Sequence, residues 1–301
     1  MRLLITGATG FLGRHLAAAA AGHVVVRATR AATATSADEV ALGAARWTRT
    51  DFARALTIAQ PDVVLHCAGA THSADAQACF DANTVLAAEL LGAVADRGRP
   101  ARVILIGSAA EYGHVPADAQ PVAETHLCAP AGDYAVAKHA QTLLGLAAAR
   151  RGLPVLVARL FNPVGAGMPR RLALPSFARQ IVGPGACPVL RVGDLSAERD
   201  FLDVAEAVRL LLGLATLPAW PWPLVNVCSG RSHRLGALLD QLVAASSVSV
   251  SIETDAALMR AGDMPRLIGS TSRLQSVGLA PTEPDFSKLL PQLLTEARKA
   301  C

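Results

Sequence analysis

Aromatic and charged residues are scarce in this chain of 301 residues, at 4% and 17% of positions. The few aromatic residues leave little material for the stacking platforms with which proteins bind single-stranded nucleic acid. The net charge is +4, but no run of lysine or arginine forms a basic arm. Hydrophobic residues make up 52% of the chain, which excludes a disordered or fibrous polypeptide. These absences favour a folded protein that binds a small ligand and has no nucleic-acid partner.

Metal-binding and disulfide patterns are missing as well. The six cysteines have no C-x-x-C spacing, and Met1 leads into a strand-like segment instead of a secretory signal. We therefore expect reduced thiols, a cytoplasmic location and no bound metal. The longest uncharged window, residues 210–228, contains Pro218, Pro221 and Pro223, which exclude a continuous spanning helix. The sequence predicts no association with a membrane.

Short apolar runs alternate with helical stretches over the first half of the chain. Near-continuous runs of Val, Ile and Leu between helices are typical of a parallel sheet covered on both faces. We predict a doubly wound, Rossmann-type α/β domain over residues 1–162, to which a later strand can return. The Pro- and Gly-rich texture beyond Asn162 predicts a smaller, substrate-binding subdomain over 163–301. The expected strands are 2–6, 23–27, 62–67, 102–107 and 154–160, and the main expected helices are 11–21, 76–97 and 134–151.

A glycine-rich turn joins the first predicted strand to the first predicted helix. The turn reads T-G-A-T-G-F-L-G from Thr6. Glycines at these positions allow a tight turn, close approach of the backbone to a pyrophosphate, and close packing of helix on strand. A plain turn is the alternative, but the position at the first strand-to-helix junction favours a dinucleotide. The predicted contacts are Gly7, Gly10, Phe11, Leu12 and Gly13.

Further cofactor contacts are expected at the ends of the next strands. Arg27 and Arg30 stand where an acid would usually bind the adenosine 2′-hydroxyl, and an arginine there favours a 2′-phosphate. We therefore predict a preference for NADP over NAD, with a solvated Arg27 as the alternative. Secondary contacts are expected where the third and fourth strands end, at Asp51, Phe52, Ala68, Gly69 and Ala70.

A tyrosine and a lysine four residues apart form the predicted catalytic pair. Tyr134 and Lys138 share one helix face, in a chain with only two tyrosines. An ammonium close to a phenol would lower the phenol pKa and make it a usable acid. Ser108, at the end of the fifth strand, could bind the oxygen that Tyr134 protonates. An amphipathic helix surface and a serine cap are the alternatives.

Five blocks in this order resemble the extended short-chain dehydrogenase/reductase family, in particular its nucleotide-sugar branch. They cover nearly the whole chain. The blocks are T-G-x-x-G-x-x-G from Thr6, G-S-A-A-E-Y-G from Gly107, Y-x-x-x-K from Tyr134, R-L-F-N from Arg159 and R-D-F-L-D-V from Arg199. Gly107, Asp133 and Ala137 depart from residues common in this family.

The resemblance implies roles for individual residues. It implies a Ser108, Tyr134 and Lys138 triad, with Lys138 also on the nicotinamide ribose, and it places Leu160 among the cofactor contacts. Within the branch, the chain is most similar to GDP-6-deoxy-4-keto-mannose reductases. That similarity implies a nucleotide-diphosphate sugar as substrate. Its expected ligands, besides Ser108, are Asn162, Arg179, Arg199 and Arg260, since arginines make bidentate contacts to a pyrophosphate.

Three reactions use this triad, and the chain favours one of them. A 4,6-dehydratase needs an extra acid and base after the serine, where this chain has Ala109 and Ala110. A reductase with exchangeable NADPH is favoured, and a 4-epimerase with retained NAD is the alternative. A non-enzymatic sensing module would not need the tyrosine and the lysine. We also expect a homodimer through helices 76–97 and 134–151, whose leucines exceed what one helix face needs.

Overall fold

The computed structural model describes residues 1–186, 189–259 and 264–299. Seven parallel strands form one sheet in the order β11-β6-β5-β4-β1-β2-β3, and helices pack on it. The predicted doubly wound parallel sheet is confirmed. Its strands are β1 Arg2–Thr6, β2 Val24–Thr29, β3 Glu39–Ala41, β4 Val63–His66, β5 Arg102–Ser108, β6 Val155–Leu160 and β11 Leu224–Val227.

The strand order reverses beside β1, which pairs with β2 on one side and with β4 on the other. Such a reversal opens a crevice at the carboxyl ends of the strands, where open α/β sheets bind their ligands. The register brings several of these ends into line, with Thr6 beside His66 and Ser108 beside Leu160. The predicted site residues Ser108 and Leu160 therefore end neighbouring strands.

Besides these strands, the chain forms helices. The predicted helices are present within a few residues of their expected limits. The helices are α1 Phe11–Ala19, α2 Arg49–Ala59, α3 Ala76–Phe80, α4 Leu86–Ala95, α5 Asp133–Arg150, α6 Ala173–Val182, α7 Val204–Thr216, α8 Leu235–Ser246, α9 Ser272–Ser276 and α10 Phe286–Lys299.

Helix α2 is absent from the sequence prediction, and it changes the position of two predicted cofactor contacts. Thr48 and Asp51 form a reciprocal capping box that starts the helix. The prediction that Asp51 and Phe52 directly follow a strand is therefore wrong. Phe52 is fully buried in the core, where its ring packs edge-on against Trp47 and His66. A side chain with no exposed surface cannot touch a ligand in the crevice.

The predicted helix 76–97 is continuous from α3 to α4 through a π-helical turn at Asp81–Val85. Among the described residues, Ala76–Ala95 is a helix long and apolar enough to cross a membrane. Core helices meet the same criteria, and Leu86, Leu90 and Leu91 are buried in the core of this chain. These leucines are needed by the chain itself, so the expected excess of leucine on this helix is wrong.

The chain forms two compact units. The first consists of Met1–Gly113, Glu124–Leu160 and Val208–Val227, so β11 returns to the sheet from late in the sequence. The second consists of His114–Ala123, Phe161–Ala207 and Cys228–Cys301. Its short strands are β7 Pro163–Val164, β8 Val189–Val192, β9 Glu198–Arg199, β10 Leu202–Asp203, β12 His233–Arg234, β13 Ser251–Thr254 and β14 Arg266–Leu267.

Candidate active site

The glycine turn has the geometry of a phosphate cradle. Gly7 has a φ of 67°, and a Cβ on it would lie 2.7 Å from the backbone nitrogen of Ala68. A Cβ on Gly13 would collide with the carbonyl oxygen of Gly7. Gly10 begins α1 with no side-chain cap, and the first turn of the helix has no acid. The first amides of α1 are thus left for an anion, as a pyrophosphate site requires.

The two arginines at the end of β2 have different surroundings. Arg27 lies 3.2 Å from Asp38 in an ion pair and donates to the Ser36 hydroxyl at 3.1 Å. Arg30 is exposed, and no described carboxylate lies within ion-pair distance of it. Arg30 is therefore the better placed of the two to bind a 2′-phosphate.

An asparagine that sequence analysis missed holds the loop after β4. The Asn83 side chain is fully buried in the π-helical turn. Its Oδ1 accepts from the Ala70 N–H at 3.3 Å, and its Nδ2 donates to the carbonyls of Ala70 and Cys79, each at 2.9 Å. The available signal was a side-chain amide in the middle of a long helix that is mostly apolar. It fixes the predicted contact segment that runs from Ala68 to Ala70.

A buried histidine ends β4 beside the same loop. His66 Nδ1 lies 2.9 Å from the Thr6 hydroxyl, which also accepts from the Ala68 N–H at 3.2 Å. Burial, followed by the charge of Lys138, lowers the pKa of His66 to about 3. The imidazole is therefore neutral and supports the turn.

Lys138 is buried on α5 and faces the loop after β4. Its Nζ donates to the carbonyl of Ile106 at 2.8 Å and to the Gln141 side chain at 3.0 Å. A Cβ on Gly69 would lie 3.4 Å from this Nζ. Burial lowers the pKa of Lys138 to about 8, against the raising effect of the Glu111 charge. The ammonium thus stands at the crevice with neutral partners.

Tyr134 lies one turn before Lys138 and beside Ser108. Burial raises the pKa of Tyr134, and a hydrogen bond with the Ser108 hydroxyl acts against that rise. The prediction that the Lys138 ammonium lowers this pKa is wrong here, because the ammonium is turned toward Ile106 and Gln141. The phenol is accordingly protonated at neutral pH and able to donate.

Ser108 also fulfils the alternative role of a cap. Its hydroxyl accepts from the Ala110 N–H at 3.2 Å, at the start of a 3-10 turn over Ala109–Tyr112. The Glu111 carboxylate accepts from the Ser108 N–H at 2.8 Å and from Arg159 Nε at 2.9 Å. Glu111 belongs to the G-S-A-A-E-Y-G block, but the sequence alone predicts no role for it.

Three of the predicted substrate ligands, Asn162, Arg179 and Arg199, lie in the second unit, where Asp200 forms a hydrogen-bonded centre. Burial raises the pKa of its fully buried carboxyl. Asn162 Nδ2 donates to the Asp200 carbonyl at 2.8 Å, and the half-buried Arg199 donates to the Glu198 carbonyl at 2.9 Å. Asn162 and Arg199 are thus both next to Asp200, while Arg179 is exposed in the last turn of α6. Arg260 lies outside the described residues.

Two hydroxyls and an ammonium are therefore grouped in the first unit. Ser108 and Tyr134 can bind an oxygen and give it a proton, and Lys138 can bind hydroxyl groups. The two residues after Ser108 carry methyl groups, which cannot exchange protons. The arrangement suits the addition or removal of hydride at a carbon that bears oxygen.

The comparisons with known proteins agree with this chemistry. Residues 3–221 match the NAD dependent epimerase/dehydratase family. The chain is 33% identical over 282 residues to GDP-6-deoxy-D-mannose reductase from Pseudomonas aeruginosa, covering 91% of this chain and 89% of that protein. It is 31% identical to dTDP-6-deoxy-L-talose 4-dehydrogenase (NAD(P)(+)) from Kitasatospora kifunensis, over 83% and 81% of the two. The solved structure of RMD from Pseudomonas aeruginosa complexed with NADPH is 29% identical, with a TM-score of 0.82 and full coverage of both chains, 100% each.

Proposed function

The chain belongs to the NAD dependent epimerase/dehydratase family, and on that basis we propose that it reduces the 4-keto group of a GDP-linked 4-keto-6-deoxyhexose. The resemblance read from the sequence motifs is confirmed, and the chain is an enzyme of the extended short-chain dehydrogenase/reductase type. The NAD(P) cofactor class is confirmed as well. We propose three further points, which are the carbon of the sugar that reacts, the nucleotide of the substrate and the direction of the reaction.

The grouping of Ser108, Tyr134 and Lys138 without a proton-transferring side chain at Ala109 or Ala110 carries the proposal. A dehydratase would need an acid and a base at this place. The names of two relatives add support, since one is a reductase of a GDP-linked 6-deoxy sugar and the other a 4-dehydrogenase of a dTDP-linked one. A dTDP-linked sugar is therefore the second candidate substrate.

Tyr134 acts as the acid in the proposed reaction. Its pKa is raised by burial, so it keeps its proton at neutral pH until negative charge develops on the C4 oxygen. Ser108 donates a hydrogen bond to the same oxygen. When bound, the reduced nicotinamide supplies the hydride to C4.

The dinucleotide fits the residues of the first unit. The cradle of Gly7, Gly10 and Gly13 binds its pyrophosphate, Lys138 binds the nicotinamide ribose, and Arg30 binds a 2′-phosphate. The uncapped start of α1 supports the pyrophosphate assignment, and the exposed side chain of Arg30 supports NADPH as the preferred form.

The second unit binds the substrate nucleotide in this proposal, through Asn162, Arg179 and Arg199. The enzyme acts in the cytoplasm as a homodimer that pairs α5 and the helix over Ala76–Ala95. Val136 and Leu143, which are exposed at 39% and 53% on α5, support this dimer. Light scattering at micromolar concentration tests it, and a monomer contradicts it.

The test of the reaction is turnover with defined sugars. The purified protein is incubated with NADPH and a GDP-linked 4-keto-6-deoxyhexose, and then with the dTDP and UDP analogues, while NADPH absorbance is followed. Oxidation of NADPH that disappears in Tyr134→Phe supports the proposal. Tightly retained NAD together with 4-epimerisation, or no oxidation with any of the sugars, contradicts it.

A further inference from the structure

Glu111 is a buried carboxylate that the reaction described above does not use. It has no exposed surface. Its Oε1 accepts from the Ser108 N–H at 2.8 Å, and its Oε2 accepts from Arg159 Nε at 2.9 Å. We propose that Glu111 is a positioning residue, which fixes the backbone of Ser108 so that the serine hydroxyl meets the reacting oxygen as a hydrogen-bond donor.

The direction of the Ser108 proton follows from its partners. A serine hydroxyl has one proton to donate and two lone pairs that accept. The Ser108 Oγ accepts from the Ala110 N–H at 3.2 Å, in the same capping box that Glu111 closes. Its own proton is therefore directed away from the turn, toward the side on which it meets Tyr134. The capping box therefore fixes the Ser108 hydroxyl as a hydrogen-bond donor toward that side.

Gly107 provides the space that this carboxylate occupies. A Cβ at position 107 would lie 2.6 Å from Glu111 Oε1 and 3.2 Å from Val157 Cγ1. Any side chain at 107 would thus displace the oxygen that holds Ser108. This contact explains why glycine stands at position 107 beside the Glu111 carboxylate, and it makes Gly107 and Glu111 a matched pair.

Arg159 holds the carboxylate from the other side. Its side chain is 3% exposed, and its guanidinium lies 4.6 Å from the centre of the Tyr112 ring. His139 approaches the same carboxylate, with Nδ1 at 3.7 Å from Oε2. Glu111 is therefore fixed by a charged partner that is itself packed in place, as a residue that positions another must be.

The charge of Glu111 supports the same proposed roles of its neighbours as its hydrogen bonds do. Burial has the largest effect on both neighbours, raising the pKa of Tyr134 and lowering the pKa of Lys138. The negative charge of Glu111 adds to the first shift and opposes the second. Both effects favour the protonated forms, a phenol that can donate and an ammonium that can bind ribose.

Two matched double variants separate positioning from charge and from stability. Glu111→Gln with Arg159→Met, and Glu111→Leu with Arg159→Met, both remove the buried ion pair. Only the glutamine retains an acceptor for the Ser108 N–H, because a capping box accepts Glu or Gln. Gly107→Ala displaces the carboxylate without removing a charge, and its control is Gly98→Ala, where an added Cβ meets nothing within 4 Å.

The kinetic readout rests on the proposed function, so a second readout needs no substrate. We expect kcat to be about 10-fold lower or more in the leucine double variant than in the glutamine one, with NADPH affinity within about twofold. Gly107→Ala should show the same loss relative to Gly98→Ala. Amide hydrogen exchange at Ser108, measured on the protein alone, should be about 10-fold faster in the leucine double variant and in Gly107→Ala.

The outcomes distinguish the two proposals. Equal kcat in the two double variants overturns the positioning role, and so does equal exchange at Ser108. If the leucine variant does not fold, Gly107→Ala against Gly98→Ala decides by the same two measurements. If wild-type protein reduces none of the sugars, the proposed function fails, and exchange at Ser108 then decides whether Glu111 holds the serine.

Discussion

Each unit contains a carboxylate with no exposed surface, and the two are stabilised in different ways. Glu111 in the first unit has a cationic partner, Arg159, in addition to the Ser108 N–H. Asp200 in the second unit is held by neutral donors. These are the N–H groups of Ser229, Gly230 and Gly269 and the hydroxyl of Ser229, at 2.7 to 3.1 Å.

The difference shows what each carboxylate can do for its neighbours. Neutral donors from two segments, one at Ser229 and Gly230 and the other at Gly269, tie the backbone together around Asp200, and no second charge becomes unpaired if one donor is lost. The ion pair of Glu111 creates a mutual dependence, because either charge alone would be buried without compensation. It also lies beside the hydroxyls of Ser108 and Tyr134, where a charge affects protonation. The neutral donors around Asp200 suit the support of a binding surface. The ion pair of Glu111 suits the control of the protonation of a neighbouring acid.

The largest effect is expected when the ion pair of Glu111 and Arg159 is broken by removal of the arginine. Arg159→Met leaves the buried Glu111 carboxylate without its guanidinium partner, so we expect a loss of about 3 to 5 kcal/mol in the free energy of unfolding. Urea denaturation measures it. The double variant Glu111→Gln, Arg159→Met should recover a large part of the loss, since no charge then remains. A single variant within about 1 kcal/mol of wild type would show that the pair is not a mutual dependence.

Asp200→Asn breaks the other centre, with a smaller expected effect. Asparagine keeps one carbonyl oxygen but turns an NH2 group toward backbone donors, which leaves hydrogen bonds unmade. We expect a loss of about 2 to 3 kcal/mol in the free energy of unfolding. Asp240→Asn, at an exposed aspartate of α8, is the control and should leave the urea midpoint unchanged. A loss larger than that of Arg159→Met would reverse the ranking of the two centres.

Arg199 tests whether the second centre supports a ligand-binding residue. If Arg199 binds the substrate diphosphate, Arg199→Ala should weaken binding of the nucleotide sugar about 30-fold, which corresponds to about 2 kcal/mol. Calorimetric titration measures this affinity. The affinity for NADPH and the melting temperature should stay nearly unchanged. Equal losses in both affinities, or a loss of stability alone, would falsify the assignment.

The smallest expected effect concerns how each buried carboxylate, Glu111 or Asp200, affects the pKa of Lys138. Lys138 has a pKa of about 8, so its ammonium is lost as the pH rises through 8, and NADPH affinity should fall over the same range. Glu111 raises that pKa, so the double variant Glu111→Gln, Arg159→Met should show the fall at a lower pH. Asp200→Asn should leave the profile in place. A profile that moves equally in both variants would show that the effect does not come from proximity to Lys138.

Sequence patterns predicted the parts of this molecule that repeat or have rare spacing. The alternation of apolar runs predicted the sheet, and the glycine spacing predicted the tight turn at Gly7 and the close packing at Gly13. The pair of Tyr134 and Lys138 was found because tyrosine and lysine are so rare in this chain.

Features that depend on distant contacts were not predictable from one sequence. The role of Asn83 depends on a π-helical turn and on the carbonyl of Ala70, neither of which has a local pattern. Asp51 and Phe52 were misplaced because the capping box that starts α2 was not recognised. The pKa of Tyr134 was given the wrong direction because burial outweighs a neighbouring charge that is turned away.

The late return of β11 has a consequence for synthesis on the ribosome. Residues 224–227 complete the sheet beside β6, and their Asn226 accepts from the Tyr112 hydroxyl at 2.7 Å and donates its N–H to Glu124 at 2.9 Å. Until that segment emerges, one edge of the nascent sheet presents unpaired backbone groups along β6, a template for wrong pairing. Nascent chains stalled before β11 has emerged should therefore recruit chaperones, and release from them should coincide with emergence of β11 from the ribosome.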